Sequence, residues 1–335
     1  MSTIADVAAR AGVSKATASR ALSGNGYVSD ETRQRVTDAA AELLYVAHSS
    51  ATSLATGRTQ TVGVIMPAVD RWFFAELLAG IQEALFDLDY ELALYGIREG
   101  TTTRERLFDT VLPRRRFDGI IAVGIQPSAH ELERLQQSER PLVSVGPYSE
   151  GSSSVSIDDV AAARIATEHL IDLGHVDIAF IGGGADATGV SFGDARRVEG
   201  YLEALRAADL AASARLIEAD PTMPGGYDAA VELLGDRRCR PTAIVGVCDE
   251  AAIGATIAAR RLGISVPAEL SVVGIDDHQH AAMFSLTTIR QSPRDQGHEA
   301  VRLLQDQIAR PDADVERVLT ASALVVRNST SAPRS

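Results

Sequence analysis

Cationic and small side chains share one face of a predicted helix close to the start of the chain. Lys15 and Arg20 lie on the same side of a helical wheel as Ala16 and Ser19. Lysine and arginine bind phosphates and guanine edges, and alanine can contact a thymine methyl group. The pattern therefore favours a helix that reads DNA, although the solvated face of an ordinary helix has similar residues.

A helix-turn-helix would position that face. Thr3 and Asp6 have the spacing of a capping box, and Gly12 suits a helix C-cap. Ser14 can then cap the second helix. We expect the other face of the second helix to pack on the first through Ala18, Ala21 and Leu22. Together these features predict a helix-turn-helix.

A third helix and a linker are predicted to follow. Ser29 can cap the helix, and the predicted buried stripe consists of Val36, Ala39, Ala40, Leu43 and Leu44. Residues 46–60 are mostly small and polar, and Leu54 is their main large apolar residue. Such a segment buries too little apolar surface to hold a helix alone, so we expect a linker that folds only on binding.

Charge is unevenly distributed along the chain. The net charge is −13, but residues 1–60 carry +1 and the remainder carries −14. Because an acidic body repels DNA, we expect only the small head to contact it. The chain shows neither a secretory leader nor a membrane-length apolar run, which predicts a cytoplasmic protein without membrane contact. Cys239 and Cys248 have no metal or redox spacing, so we expect reduced core thiols.

From Thr61 onward, strand and helix patterns alternate. The predicted strands are 62–66, 91–95, 118–123, 141–145, 177–181, 243–247 and 271–275. Helices are predicted at about 74–88, 103–112, 159–173, 194–208 and 249–262. Nearly continuous apolar strands between helices indicate parallel sheets that are covered on both faces. The pattern restarts after Ile157, which predicts two similar lobes with a cleft at the carboxyl ends of their strands.

Three motifs in the body could indicate other chemistry. Gly189–Gly193 matches the sequence of a hydrolase nucleophile elbow. An elbow requires the serine to lie directly between a strand and a helix, but about nine residues separate Ser191 from the preceding strand. Gly182–Ala187 loosely matches a dinucleotide-binding loop, yet no helix follows at once. Arg114–Arg116 fits a solvated turn better than a phosphate site. We therefore expect neither an enzyme nor a bound cofactor or metal.

Aromatic and acidic residues follow the first strand of the body. Asp70, Trp72 and Phe73 would lie at the mouth of the cleft, and Trp72 is the only tryptophan of the chain. Aromatic rings at such a site can stack on sugar faces or flat rings. The alternative, that these residues only pack at a hinge or helix cap, is equally compatible with the sequence.

The order of these motifs closely resembles the lactose-repressor/galactose-repressor (LacI–GalR) family of bacterial transcription regulators. In the head, the match includes Ile4–Ala8, Gly12–Ser14, Thr17, Ser19, Arg20, Leu22, Tyr27–Ser29, Thr32, Arg33 and Tyr45. In the body, it includes His169, Leu170, Gly174, His175, Arg196, Arg197, Gly200, Tyr201, Pro241–Ala243, Asp249, Ala252, Gly254, Ser271–Asp277 and Leu286–Ile289. The resemblance extends over the whole chain.

The resemblance implies an all-α helix-turn-helix head joined to an α/β body. Residues 1–45 would be the DNA-binding domain, and residues 46–60 the hinge helix or linker. Residues 61–335 would form a two-lobed, periplasmic-binding-protein-like body with parallel sheets and Rossmann-like lobes, used for effector binding and dimerisation. Lobe one would comprise about 61–158 and 291–320, and lobe two about 159–290 and 321–335.

The resemblance also implies roles for individual head residues. Lys15, Ala16 and Arg20 would face bases, while Leu54 would wedge into the minor groove at the operator centre. The other predicted DNA-binding residues would lie near phosphates: Thr3, Ser14, Thr17, Ser19, Ser23, Tyr27 and Thr32. The family usually has Pro and Asn where Ala47 and His48 stand here.

In the body, the resemblance implies an effector site between the lobes. Arg197 and Asp276 match a charged pair directed at the effector, and such groups suit the hydroxyls of a sugar. The remaining predicted effector-binding residues are Asp70, Trp72, Phe73, Cys248 and Asp249. Cys248 replaces a usual polar residue, which removes a strong hydrogen-bonding group from the cleft.

These expectations describe a homodimeric, sequence-specific repressor. Two heads would bind a palindromic double-stranded operator, and a mono- or disaccharide effector would separate the hinges and release the DNA. The alternative is a co-repressor-dependent regulator that binds a purine-like or other non-sugar ligand. A stand-alone sugar-binding protein is the rival from another class, and it would require export.

Overall fold

A computed structural model provides the structure of this chain. It describes residues 2–23, 26–45, 58–67, 69–97, 101–114, 117–125, 127–137, 140–146, 151–183 and 192–334. The predicted hinge leucine Leu54, the neighbouring Ala47 and His48, and the elbow serine Ser191 lie outside these ranges.

The described ranges contain a helical head followed by alternating strands and helices. The helices are α1 (Ile4–Ala11), α2 (Lys15–Ser23), α3 (Asp30–Glu42), α4 (Trp72–Phe86), α5 (Thr102–Arg106), α6 (Ala129–Gln137), α7 (Asp159–Asp172), α8 (Phe192–Ala207), α9 (Met223–Gly235), α10 (Asp249–Arg261) and α11 (Pro293–Ala309). The strands are β1 (Thr61–Met66), β2 (Glu91–Gly96), β3 (Gly119–Val123), β4 (Leu142–Val145), β5 (Ser153–Ser156), β6 (Ile178–Ile181), β7 (Arg215–Ile217), β8 (Ala243–Gly246), β9 (Ser271–Asp276), β10 (Thr287–Arg290), β11 (Arg317–Leu319) and β12 (Ala323–Val325).

The head is held by local caps and a small apolar core. Thr3 and Asp6 form the predicted capping box at α1, and Gly12 adopts φ +67° after its last residue. Ser14 Oγ accepts a hydrogen bond from the Thr17 amide at 3.1 Å, which caps α2. The core unites small apolar residues of all three helices: Val7, Ala8, Ala11, Ala18, Ala21, Val36, Ala39 and Ala40.

One predicted member of this core is wrong. Leu44 is 89% exposed, whereas Leu43 packs against the core. The cause is local geometry: α3 ends at Glu42, and Leu44 adopts a positive φ of 45°, which turns its side chain off the helical stripe.

The body contains two six-stranded sheets with closely similar topologies. The strand order is β11-β5-β4-β3-β1-β2 in the first sheet and β12-β10-β9-β8-β6-β7 in the second. All pairings are parallel except that of β10 with β12, which is antiparallel. The central strands are completely buried, for example Val62 and Val64 in β1 and Val272 and Val273 in β9. This confirms the prediction of covered parallel sheets.

The chain passes between the sheets three times. It leaves β5 of the first sheet to enter α7, which packs on the second sheet. It returns after β10 into α11, whose apolar side chains pack on the first sheet. The third crossing joins β11 of the first sheet to β12 of the second. The two layered units are therefore linked by three adjacent connections.

Two sequence predictions about the body need correction. The predicted helix 103–112 is α-helical only over Thr102–Arg106, and a π-helical turn, Leu107–Val111, then buries Leu107 and Phe108. Cys239 is exposed, so only Cys248 is a core thiol. In the part of the chain that the structure describes, no helix has the length and apolarity needed to cross a membrane.

Candidate functional site

The exposed face of α2 carries the three residues predicted to contact bases. Lys15, Ala16 and Arg20 are all exposed, while Ala18 and Ala21 on the opposite side are buried in the head core. Arg20 Nε donates to the carbonyl oxygen of Ala16 at 3.3 Å, a contact within its own helix. The structure therefore leaves these side chains available to an external partner.

Several predicted phosphate contacts also cap helices. The hydroxyls of Ser14 and Thr17 lie 2.9 Å apart at the start of α2, and Thr3 belongs to the capping box of α1. Ser29 Oγ donates to Thr32 Oγ1 at 2.9 Å. The backbone amides at a helix N-terminus attract anions, and these hydroxyls lie at such N-termini, where a DNA phosphate could also bind.

The remaining predicted head residues surround this face. Tyr27 is 94% exposed, which is unusual for a tyrosine that serves only packing. Ser19 and Ser23 are half-buried within α2.

A second candidate site is a cavity between the two lobes. Its volume is about 70 Å³, and it is lined by Arg71, Phe73, Phe74, Gly124, Val145, Gly146, Ser156, Ile157, Asp159, Gly193, Asp194, Arg197, Asp276, Gln291 and Gln296. Three of the seven predicted effector-binding residues belong to this lining: Phe73, Arg197 and Asp276.

Arg197 organises the second-lobe wall of the cavity. Its Nε donates to Asp159 Oδ1 at 2.8 Å, and its Nη1 donates to the Val247 carbonyl at 2.7 Å. Its Nη2 lies 3.8 Å from Asp276 Oδ1. Although burial favours the neutral form, the carboxylates of Asp159, Asp276 and Asp194 keep the pKa of Arg197 above its ordinary value. The guanidinium is thus a fixed positive charge in this wall.

Asp276 is the last residue of β9, and it lies beside Gln291 in the segment that joins β10 to α11. Its backbone has φ +133°, a conformation that L residues rarely adopt, and its Oδ1 accepts from Gln291 Nε2 at 2.6 Å. Gln296 Nε2 in turn donates to Gln291 Oε1 at 2.9 Å. Burial raises the pKa of Asp276 to about 6, opposed by the nearby Arg197 charge. Strained backbone at a polar cavity is typical of binding sites.

The structure places Asp70 and Trp72 differently from the prediction. Asp70 is exposed and does not line the cavity. The Trp72 ring contacts the His278 ring of the other lobe, with centroids 4.9 Å apart, and its amide donates to Glu250 Oε1 at 3.0 Å. Trp72 therefore joins the lobes beside the cavity instead of lining it.

Asp249 and Cys248 are also outside the cavity lining. Asp249 is fully buried at the start of α10 and accepts hydrogen bonds from Thr288 Oγ1 at 2.6 Å and the His278 amide at 2.8 Å. Burial and the neighbouring Asp276 raise its pKa to about 8. Cys248 Sγ lies 3.8 Å from Arg71 Nη2 and donates to the Pro221 carbonyl, and burial raises the pKa of this thiol to about 12. Both side chains are occupied by protein contacts.

Arg71, Asp159 and Asp194 line the cavity and were missed by the sequence analysis. Arg71 lies inside the aromatic stretch that was singled out, and its guanidinium lies over the Phe74 ring at 5.4 Å. Asp159 and Asp194 open α7 and α8, where a carboxylate is ordinarily explained as a helix-end residue. That local role gives no sign that both carboxylates lie close to Arg197 in the folded protein. Among the described residues, no group of His, Cys, Asp and Glu has the arrangement of a metal site.

Family models match both parts of the chain. The model described as bacterial regulatory proteins, lacI family, matches residues 3–48. The model described as periplasmic binding protein-like domain matches residues 167–330.

Relatives and solved structures match almost the whole chain. Catabolite control protein A of Priestia megaterium is 33% identical, and the alignment covers 98% of this chain and 99% of that protein. The ribose operon repressor of Escherichia coli K12 is 30% identical, with 98% and 100% covered.

Solved structures of other regulators are similar in fold. The Lac repressor dimer bound to operator and the anti-inducer ONPF has a TM-score of 0.86 at 26% identity, with 99% of each chain covered. The complex of the transcriptional regulator CelR with cellobiose has a TM-score of 0.70 at 29% identity, with 98% of this chain and 100% of that chain covered. An exposed helix-turn-helix, a two-lobed body and these full-length matches lead to one assignment: the chain belongs to the LacI family and is a DNA-binding transcriptional regulator, not an enzyme.

Proposed function

We propose that this chain is a homodimeric repressor that a small carbohydrate releases from a palindromic operator. The observation that carries the proposal is the cavity between the lobes, which Arg197, Asp276 and Phe73 all line. Charged donors and acceptors beside an aromatic ring suit the hydroxyls and the apolar face of a sugar. The protein would act in the cytoplasm, where operator DNA is accessible.

The size of the cavity supports an allosteric role. Its 70 Å³ is far below the ~300 Å³ of the smaller ligand pockets of proteins. A monosaccharide therefore enters only if the lobes move apart, and its binding energy then depends on the lobe angle. A ligand shifts an equilibrium by its differential affinity for the two states, so this dependence is what an inducer requires.

In the head, we propose that Lys15, Ala16 and Arg20 contact base edges in the major groove. The exposure of all three side chains supports this assignment. The hydroxyl and tyrosine residues around them would bind phosphates: Thr3, Ser14, Thr17, Ser19, Ser23, Tyr27 and Thr32. Leu54 would enter the minor groove between the two half-sites.

Exposed apolar side chains support the homodimer. Phe86, the last residue of α4, is 80% exposed, and Met283 in the second lobe is 78% exposed. Packing against a partner protomer would remove such side chains from water, and contiguous apolar surface marks protein interfaces. The Lac repressor is a dimer on its operator, and the same assembly here would place two heads on two half-sites.

An operator-binding titration with and without ligand tests the proposal. The operator is selected from random DNA with the full chain, and ligands are found by a thermal-shift screen of sugars and nucleobases. A ligand at 100 times its dissociation constant stabilises the folded state by about 2.7 kcal/mol, which such a screen detects. Weaker operator binding with a sugar supports the inducer mechanism.

Two other results discriminate between the alternatives. Tighter operator binding with a nucleobase or other non-sugar ligand would establish the co-repressor alternative. Operator binding that no ligand alters would refute effector control. The variant Asp276→Asn is the control, because its operator binding is expected to persist while its response to ligand is weakened.

A further inference from the structure

One hydrogen-bond donor of the cavity lining is left without an acceptor. Arg71 lines the cavity, and its Nε is buried and unpaired within the described ranges of the chain. Three other buried side-chain atoms of those ranges also lack a partner, and none of them belongs to the lining: Asp177 Oδ1, Gln305 Nε2 and Gln307 Oε1. A buried donor without an acceptor is costly, so this Nε–H is suited to a bound acceptor.

The positive charge of Arg71, by contrast, is compensated. Its Nε lies 3.9 Å from Glu250 Oε2, close enough for an ion pair but too far for a hydrogen bond. Burial favours the neutral form of Arg71, but nearby groups hold its pKa above the ordinary value: Cys248, Asp194, Glu250 and Asp276. All of these groups except the thiol are carboxylates. Arg71 therefore lacks an acceptor at Nε and not a counter-charge, and a neutral oxygen is sufficient to pair with it.

Arg71 and Arg197 reach the cavity from different lobes. Arg71 directly precedes α4, which packs on the first sheet, and Arg197 belongs to α8, which packs on the second sheet. The Arg71 guanidinium lies 5.4 Å from the ring centroid of Phe74 in its own lobe. Its contacts across the lobe boundary are longer than hydrogen bonds between nitrogen and oxygen: Glu250 Oε2 at 3.9 Å from Nε and Cys248 Sγ at 3.8 Å from Nη2. A ligand that moves the lobes apart would replace these contacts and bridge one guanidinium of each lobe.

We infer that Arg71 is a specificity-determining residue, whose Nε–H donates to a hydroxyl oxygen of an uncharged sugar. This inference rests on the proposed function and narrows its ligand class to sugars without a phosphate or carboxylate group. The hydroxyl would supply the acceptor that the protein itself does not provide, and a hydrogen bond from a charged donor is among the stronger ones. A sugar without that hydroxyl would leave the buried donor unpaired.

Two other roles for Arg71 would depend on its charge and not on its Nε–H. The guanidinium could serve only the ion pair with Glu250, or it could attract an anionic ligand such as a sugar phosphate. Two substitutions separate these roles. Lysine keeps the positive charge but has a methylene group at the position of Nε, whereas glutamine loses the charge but can place an amide N–H there.

Isothermal titration of the full-length chain and its two variants tests the inference. The probes are glucose, galactose, ribose and cellobiose, the monodeoxy analogues of these sugars, and glucose 6-phosphate. At least one neutral sugar is expected to bind the unsubstituted chain, and to lose about tenfold or more in affinity when one particular hydroxyl is removed. Arg71→Lys should bind that sugar and its deoxy analogue equally, within about twofold, while Arg71→Gln should keep most of the preference.

Arg294→Lys is the matched control. Arg294 contacts α4 through Glu76 and Glu83 and does not line the cavity. Its substitution should therefore leave every hydroxyl preference unchanged. Thermal unfolding shows whether each variant is folded before it is titrated.

Each remaining result decides against the inference. A hydroxyl preference that survives in Arg71→Lys and disappears in Arg71→Gln would show that the charge is read. Glucose 6-phosphate that binds more tightly than glucose, or the absence of binding by any neutral sugar, overturns the uncharged ligand class.

Operator binding distinguishes failure of this inference from failure of the proposed function. Operator release by a sugar phosphate, or by a sugar whose hydroxyl preferences Arg71→Lys does not change, would leave the proposed function intact and reject the role of Arg71. Operator binding that no sugar in the panel or in the wider screen alters would reject the proposed function itself.

Discussion

The head and the cavity use arginine in opposite ways. Arg20 in α2 is exposed, and its contact is with a carbonyl of the same helix. Arg197 in α8 is nearly buried and contacts Asp159, Val247 and Asp276, which belong to three other segments. The first side chain is held ready for a partner outside the protein, while the second is fixed by the fold itself.

This difference decides how a substitution of a binding residue acts in each region. The head presents a surface on a small core, so single residues of that surface can change without disturbing the core. In the cavity, the charges that would bind a ligand are also the charges that hold strands and helices together. Substitution there is expected to affect stability and binding at once, whereas substitution on the exposed face of the head is expected to affect binding alone.

Arg197→Ala is expected to destabilise the body most. It leaves the carboxylates of Asp159 and Asp276 buried without their cation, a change that costs about 3–5 kcal/mol. Denaturant unfolding of the full chain measures it. The matched control is Arg196→Ala, whose side chain is 44% exposed and pairs with Glu199 on the surface, so its change should stay within about 0.5 kcal/mol. Equal losses for the two variants would contradict the role assigned to Arg197.

Asp276→Asn is expected to weaken effector binding by about 1.5–3 kcal/mol, since it removes a charged acceptor from the cavity. Isothermal titration with the effector found in the screen measures this loss. Asp277→Asn is the control, because Asp277 points to Arg290 and Arg327 and does not line the cavity. If the two variants lost effector affinity equally, Asp276 would have only a structural role.

Arg20→Ala is expected to lower specific operator binding by about 1–3 kcal/mol and to relax the preference at one base pair. Binding to operator variants, measured at fixed salt, detects both effects. The control is Arg10→Ala in α1, because Arg10 pairs with Glu42 at 2.6 Å within the head. An equal loss of affinity for non-specific DNA would show that Arg20 binds a phosphate instead of a base.

Ser29→Ala is expected to have the smallest effect, a loss of about 1 kcal/mol in head stability. Ser29 caps α3 through the Thr32 amide, and removal of a cap typically has this effect. Thermal unfolding followed by helical circular dichroism measures it. Ser19→Ala, a change within α2, should leave that transition in place and lower only DNA affinity. No change in the transition of Ser29→Ala would exclude the capping role.

Much of the fold could be predicted from local patterns. The capping box at Thr3, the C-cap at Gly12 and the seven apolar strands are all decided by residues close in sequence. The strands β5, β7, β10, β11 and β12 were not predicted, because each has only three or four residues and forms by pairing with other strands. For β5, the sequence Ser-Ser-Val-Ser has no apolar run, and it becomes a strand by pairing with β4 and β11.

The cavity could be predicted only in part, for the same reason. Asp249 and Asp276 are both acidic residues that closely follow a predicted strand, and their local sequences suit a ligand equally well. The fold distinguishes them: Thr288 and the His278 amide occupy Asp249, while Asp276 lines the cavity. Asp194 was missed because a carboxylate in the first turn of a helix has a sufficient local explanation. Its place in the cavity lining depends on residues far along the chain.

The three adjacent connections between the sheets have a consequence for how such a protein diversifies. Two bodies joined at one point can twist in any direction, but three neighbouring tethers leave bending about a single axis as the main degree of freedom. On the proposed function, ligands of different chemistry would then all produce the same hinge movement. The side chains of the cavity could change in evolution while the movement that controls the head stayed the same.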